Sequence, residues 1–182
     1  MTLKYPLAAW TVALAASIAA PLRAEESVSA GGIRWTVPHG WTAGTVRPMR
    51  VATYVLPAGK GGEPGECGVF YFGHGQGGTA EENIARWRSQ FEGAPAPQIS
   101  VRTVDALRIH QVTTSGTYLA SAGPMMPSQG KKPNYALAGV IVEAPEGLVF
   151  FKCTGPAAAI AAARQPFDAL IRSIRKAPVA TF

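Results

Sequence analysis

The segment from Gly73 to Thr79 contains the residues of this chain whose types and spacing best suit chemistry. Gly73, Gly75 and Gly78 match the pattern G-x-G-x-x-G, which in dinucleotide-binding folds lets a pyrophosphate approach a helix N-terminus. Imidazole exchanges protons near neutral pH, so His74 is a candidate general base. We therefore predict a ligand-binding loop, whose candidate residues are His74, Gly75, Gln76, Gly77, Gly78 and Thr79.

The chemistry of this loop stays open between several interpretations. Dinucleotide binding is disfavoured because Glu81 and Glu82 put negative charge where phosphates would lie. A small anion at the helix start is a second interpretation, and a plain strand-to-helix turn is the third. A hydrolase using His74 would need a nucleophile and an acidic partner, and no serine of the chain stands in a G-x-S-x-G context. We therefore predict no catalytic residues and no cofactor.

Two cysteines, Cys67 and Cys153, lie at the ends of apolar runs that are typical of strands. Cys67 shares one face of its strand with Val69 and Tyr71, and Cys153 shares a face with Val149 and Phe151. An oxidising compartment favours a disulfide between them if the two strands are neighbours. The alternative is a pair of buried free thiols. A metal site is not predicted, because no His lies at a short ligand spacing from another His or a Cys.

The elements that position these residues follow from the periodicity of apolar side chains. Alternation and β-prone runs predict strands within 31–41, 51–56, 67–72, 99–104, 107–119, 135–143 and 148–154. Thr79 and Glu82 form a capping-box pattern, after which Ile84, Trp87 and Phe91 recur at helical spacing. This pattern predicts a helix over 80–92 with these three side chains against the sheet.

The remaining segments predict a long loop and a final helix. Residues 120–134 contain Gly, Pro, Met125 and Met126, which is typical of an irregular functional loop. A helix is predicted after Gly155-Pro156, interrupted near Pro166, with a buried face of Ile160, Phe167, Leu170, Ile171 and Ile174. Because strands and helices rarely alternate, the fold class is α+β, with a largely antiparallel sheet sandwiched by helices.

The first 24 residues predict a secretory signal peptide. Lys4 is followed by an uncharged apolar run, and Ala24 is a small residue suited to cleavage before Glu25. An uncleaved anchor helix is the alternative. Cleavage would leave one domain over 25–182, in the periplasm or outside the cell, without an integral membrane segment.

Composition limits the partners of that domain. The chain has 182 residues with 47% apolar and 15% charged side chains, which is typical of one globular domain. Without Lys4 and Arg23 the formal charge is (17 − 2) − 11 = +4. The basic residues are scattered and not interleaved with aromatic residues, so nucleic acid is not a predicted partner. The predicted partner is therefore an unidentified protein or a small ligand.

Several motifs together resemble small exported bacterial proteins of the PsbP-like fold, which are mostly uncharacterised. They are Gly40-Trp41, Tyr71-Phe72-Gly73, Asn83-Ile84-x-Arg86-Trp87-x-x-Gln90-Phe91, Ser115-Gly116-Thr117-Tyr118, Phe150-Phe151-Lys152, Thr154-Gly155-Pro156 and Phe167-Asp168-x-Leu170-Ile171-x-Ser173-Ile174. The resemblance spans nearly all of residues 31–175. It implies an α/β/α sandwich and an accessory or binding role, with no catalytic residues.

We therefore expect an exported, non-catalytic binding or accessory protein, with an exported hydrolase using His74 as the alternative. The two differ in what should surround the site. An enzyme requires His74 to face a cleft with a hydroxyl or carboxylate in hydrogen-bond reach. A binding protein instead requires an exposed apolar patch or groove beside residues 119–134.

Overall fold

The computed structural model describes residues 27–59, 62–121 and 128–178. The predicted signal peptide and the pair Met125-Met126 lie outside these residues. The elements are β1 (Ser27–Ala30), β2 (Ile33–Thr36), β3 (Thr42–Ala43), β4 (Ala52–Leu56), β5 (Gly65–Tyr71), α1 (Ala80–Ser89), β6 (Phe91–Glu92), β7 (Gln98–Val104), β8 (Leu107–Ser121), β9 (Ser128–Ala144), β10 (Gly147–Pro156), α2 (Ala157–Ala162), α3 (Arg164–Ser173) and β11 (Arg175–Lys176).

The main sheet has eight strands, and every recorded pairing is antiparallel, as predicted. Its order is β3-β4-β5-β10-β9-β8-β6, and β7 pairs with the same edge of β8 as β6 does. A smaller sheet has the order β1-β2-β11. The chain is therefore α+β, because most sheet neighbours are joined by hairpins and not by crossover helices.

The main sheet buries a separate apolar cluster on each face. One face packs against α2, α3 and the smaller sheet, and we call it the α3 face; its cluster includes Trp35, Val69, Phe151 and Phe167. The other face packs against α1, and we call it the α1 face; its cluster includes Ile84, Trp87, Ile141 and Phe150. Alternation along each strand divides the side chains between the two faces.

Helix α1 begins as the sequence predicts. The Thr79 hydroxyl accepts a hydrogen bond from the Glu82 N–H at 3.1 Å, and the Glu82 carboxylate accepts one from the Thr79 N–H at 2.8 Å. This reciprocal pair satisfies two backbone donors that a helix start leaves without partners. The helix ends at Ser89, earlier than predicted, because Phe91 pairs with Tyr118 in a short strand.

The last predicted helix is two helices, with the break at Ala163 between α2 and α3. Pro166 lies in the first turn of α3, where the N–H that proline lacks would have no helical partner. The predicted apolar side chains of these helices are buried. Among the described residues, no helix is long and apolar enough to cross a membrane.

The prediction of an irregular loop over 120–134 is wrong for most of its length. Strand β8 continues to Ser121 and β9 begins at Ser128, so the described residues 120–121 and 128–134 are paired strands, and 122–127 lie outside the described residues. The register between β8 and β9 shifts between Gly116 and Tyr118 and again between Leu119 and Ser121, as at a β-bulge. Cross-strand pairing outweighs the low β-propensity of Gly, Pro and Lys here, because that propensity depends on context.

Candidate functional site

The glycine-rich loop turns the chain from β5 into α1. Gly73, Gly75, Gly77 and Gly78 all have positive φ angles, between 66° and 100°. At Gly77, a Cβ would also lie 2.8 Å from a ring atom of Phe72, so the loop packs closely there. The glycines thus serve the tight turn itself, because side chains rarely tolerate this backbone conformation.

The start of α1 already holds an anionic group of its own. The Glu82 carboxylate binds the Thr79 N–H, and the Asn83 amide donates to the Gly77 carbonyl at 2.8 Å and to the Thr79 carbonyl at 2.7 Å. Glu82 thus lies where a bound phosphate would meet the helix N-terminus. Ligand binding by this loop stays a prediction; His74, Gly75, Gln76, Gly78 and Thr79 are exposed, and Gly77 is half-buried.

His74 is exposed, and the structure records no hydrogen bond or ion pair between its side chain and another described residue. The only histidine with a carboxylate partner in the described chain is His110, whose Nε2 lies 2.7 Å from Glu143 Oε1. His110 is buried in the sheet. The described residues also contain no group of three or more side chains able to hold a metal ion.

A groove of about 680 Å³ opens on the α3 face, between helices α2 and α3 and strands β7, β8 and β9. Helix α2 contacts β9 and β10, and the groove lies beside it, over the outer strands β7 and β8. Thr113 and Ser115 on β8 are exposed there. Ile109, which lies four residues before Thr113 on the same face of the strand, is fully buried. One end of the groove, at Ser115 and Ala136, adjoins the part of β8 and β9 in which Leu119 pairs with Lys131.

The groove has both polar and apolar lining side chains, and the polar uncharged ones are concentrated on the outer strands. Strands β7 and β8 contribute uncharged hydrogen-bonding side chains, which are Gln98, Ser100, Gln111, Thr113 and Ser115. The apolar wall is formed by Ile160 of α2 and Phe167 of α3 with Leu56 of β4 beside them, and alanines line much of the rest. Such a surface offers hydrogen bonds to one side of a ligand and apolar contact to the other.

Sequence reasoning did not predict the groove, although β8 carries a signal. Its inward positions change from Leu107 and Ile109 to Gln111, Thr113 and Ser115, while the alternation of the strand continues. A polar series on a face that is elsewhere apolar indicates where the covering layer ends. The sequence does not show that this surface is concave, because the concavity depends on where α3 packs.

The two cysteines are direct partners across β5 and β10. The strands are therefore neighbours, which is the condition that a disulfide between these residues requires. Both are buried thiols in this structure, with their Sγ atoms 2.7 Å apart. That separation exceeds the S–S bond length of about 2.05 Å, so the disulfide stays a prediction. Burial and the neighbouring Cys67 raise the pKa of the Cys153 thiol well above its usual value.

Comparisons with known proteins support the fold. No protein-family model matches the chain, and no curated protein matches its sequence. Among solved structures, cyanobacterial PsbP from Synechocystis sp. PCC 6803 aligns with a TM-score of 0.55 and 14% identity, covering 88% of this chain and 98% of its own. A Pseudomonas aeruginosa protein of unknown function aligns with a TM-score of 0.48 and 12% identity, covering 85% and 99%. The similarity to PsbP shows a PsbP-like fold.

Proposed function

We propose that this chain is an exported, non-catalytic binding protein whose ligand is an uncharged amphipathic small molecule held in the groove of the α3 face. The observation that carries the proposal is the groove itself. Its volume of about 680 Å³ falls within the range typical of small-molecule sites. Its polar floor and apolar wall match a molecule with hydroxyl or amide groups on one side and hydrocarbon on the other.

The charges of the lining support an uncharged ligand. Among the described lining residues, the charged side chains are Arg164 and Asp168, which stand one helical turn apart on α3. Opposite charges at this spacing on a helix attract each other. The described lining therefore carries no net charge that would favour a charged ligand. No histidine belongs to the described lining, and the floor offers amides and hydroxyls, which suit binding more than proton transfer.

Octyl β-glucoside is a suitable probe, because it combines sugar hydroxyls with an alkyl chain. Below its micelle concentration, we expect it to cause saturable NMR shifts at groove residues such as Thr113, Ser115 and Ala138. Thr113→Phe should abolish the saturable component, because the ring would fill the floor between β8 and α3. Titration of the ¹⁵N-labelled mature domain measures both effects.

The matched control is Thr103→Phe. Thr103 is exposed on β7 but alternates to the opposite face of the sheet, outside the groove. This variant should bind the probe like the wild type. Shifts that are linear and scattered over the surface, or equal losses in the two variants, would contradict the proposed site.

Export makes a separate prediction about the mature chain. The signal pattern of residues 1–24 places cleavage before Glu25. We expect intact mass spectrometry of the protein from a cell-envelope fraction to give a chain that begins at or near Glu25. A chain that retains Met1 and stays with the membrane would refute export by cleavage, whatever the groove binds.

A further inference from the structure

Lys152 lies on the α1 face, on the side of the sheet opposite to the groove. It is the central residue of a row across three strands, between Gly68 of β5 and Gly139 of β9. Neither glycine contributes a side chain, so the space beside Lys152 is taken by side chains from more distant parts of the chain. The ring of Trp87 lies over Gly139, and the Arg50 guanidinium lies against Gly68.

Positive charge is in excess around the Lys152 ammonium. Burial lowers the pKa of Lys152 to about 8, and two cations, Arg50 before β4 and Arg86 on α1, add to the decrease. Glu66 of β5 opposes this effect, but its carboxylate already binds Arg50 at 2.7 Å and Arg47 at 3.1 Å. The formal charge of this group is therefore 4 − 1 = +3, from one carboxylate, Glu66, and four cations, which are Arg47, Arg50, Arg86 and Lys152.

Tyr118 of β8 completes the cluster. Its ring lies 5.9 Å from Lys152 Nζ, and it stacks on Tyr135 of β9 with a centroid distance of 5.9 Å. Burial raises the pKa of the Tyr118 hydroxyl, and Glu66 adds to the increase, while Arg50 and Lys132 oppose it. On the outer side, Lys132 lies over Tyr135, whose hydroxyl donates to Glu63 at 2.9 Å.

Several hydrogen-bond donors of this cluster lack a recorded acceptor. Lys152 Nζ donates to Gln90 Oε1 at 2.5 Å, which uses one of its three N–H groups. Thr154 Oγ1, two residues along the same face of β10, is buried without a hydrogen-bond partner. The structure records no hydrogen bond between the Tyr118 hydroxyl and another described residue. Buried polar groups normally have partners, so the orphaned threonine hydroxyl points to a missing one.

We propose that this cluster binds the oxyanion of a small ligand, a carboxylate or phosphate group, through Lys152, Tyr118 and Thr154. The oxygens would accept charge-assisted hydrogen bonds from the ammonium, which are about twice as strong as those between neutral groups. The anion would also offset the net positive charge of the group. The site lies on the opposite face from the groove and does not depend on the groove being occupied.

The test uses sodium acetate and inorganic phosphate as separate probes, at constant ionic strength maintained with sodium chloride. We expect saturable NMR shifts at the amides of Lys152, Thr154 and Tyr118 with at least one probe, and the tighter probe identifies the group as carboxylate or phosphate. Lys152→Gln should weaken binding about tenfold or more, because a hydrogen bond from a charged donor is lost.

Lys131→Gln is the matched control. Lys131 is exposed on the same hairpin strand as Lys132 and pairs with Glu92 at 2.6 Å, so its charge is already compensated. This variant should keep the affinity within about twofold, since exposed ion pairs contribute little. Thr154→Val keeps the shape of the side chain, removes the orphaned hydroxyl and should also weaken binding. If Lys152→Gln fails to fold, the affinity of Thr154→Val alone decides whether the cluster binds the anion.

The pH dependence gives a second readout. A bound anion raises the pKa of Lys152, so acetate affinity should be constant below pH 8 and fall above it, with proton uptake on binding. Acetate stays ionised throughout that range, so its own titration does not interfere. The proposal is overturned if neither probe gives saturable shifts, or if affinity is unchanged by Lys152→Gln and by Thr154→Val.

Discussion

Replacing Trp87 with alanine is expected to lower the free energy of unfolding by about 3–5 kcal/mol. Trp87 is 5% exposed and packs edge-on against Phe150, with ring centroids 6.5 Å apart. It also covers the backbone at Gly139, where a Cβ would lie 2.3 Å from its ring. Removing the indole therefore leaves a cavity between α1 and β9, and Gly139 has no side chain with which to fill it.

Urea unfolding followed by circular dichroism measures this loss. Arg88→Ala is the matched control, because Arg88 is exposed on the same helix and should change stability by less than about 0.5 kcal/mol. A loss below about 1 kcal/mol for Trp87→Ala would contradict the packing of α1 against the sheet.

The same contact can be tested from the side of the sheet. Gly139→Ala should cost about 1–3 kcal/mol, because the added methyl group would meet the Trp87 ring. In the Trp87→Ala background the cost should be much smaller, since the principal clash is gone while Val112 stays 2.9 Å from the new Cβ. Additive losses in the double variant would show that the two residues do not touch.

Oxidation of the pair Cys67–Cys153 is expected to stabilise the chain by up to about 4.6 kcal/mol, the loop-closure value for the 86 residues that separate them. The two strands already hold the residues as direct partners, so little rearrangement is needed. Glutathione disulfide is a sufficient oxidant: the two thiols lose two electrons and two protons, and the reagent becomes two glutathione molecules.

The rate of oxidation should depend on folding. The attacking species is the thiolate, and burial raises the pKa of the Cys153 thiol in the native state. We therefore expect the disulfide to form faster during refolding with glutathione disulfide than in the folded, reduced protein. Intact mass and thiol titration in denaturant follow the reaction, and urea unfolding with and without reductant measures the stabilisation.

A double variant, Cys67→Ala with Cys153→Ala, is the control and should unfold at the same urea concentration with and without reductant. Two free thiols in protein isolated from its own cell envelope would contradict the disulfide there. Equal stability of the oxidised and reduced wild type would contradict the stabilising effect, even if the bond forms.

The sequence predicted the elements whose side chains alternate or recur with a regular period. The capping box of Thr79 and Glu82 and the buried spacing of Ile84 and Trp87 are local patterns, and the structure contains them. The common face of Cys67 and Val69 follows from strand geometry alone and is also present. Local rules succeed here because each depends only on residues a few positions apart.

The strand ends at 120–121 and 128–134 were missed for the opposite reason. Their extended conformation comes from pairing between β8 and β9, and the pairing of Tyr118 with Lys132 is not visible from the composition of either segment. Gly116 and Gly130, typical of turns, lie in the two long strands. Pairing with a neighbouring strand decides such cases, because β-propensity reflects the surroundings more than the residue.

The amino-acid sequence by itself determined the fold class, the start of α1 and the faces that Cys67 and Cys153 occupy. Only the tertiary structure decided where binding surfaces lie. The groove exists because α2 and α3 come to lie beside the polar positions of β8, and the oxyanion site exists because Arg50, Arg86 and Tyr118 converge on Lys152. Both depend on residues far apart in the chain, whose approach is set by sheet order and helix packing; the polar series of β8 is a local signal, but it does not position the helices beside it.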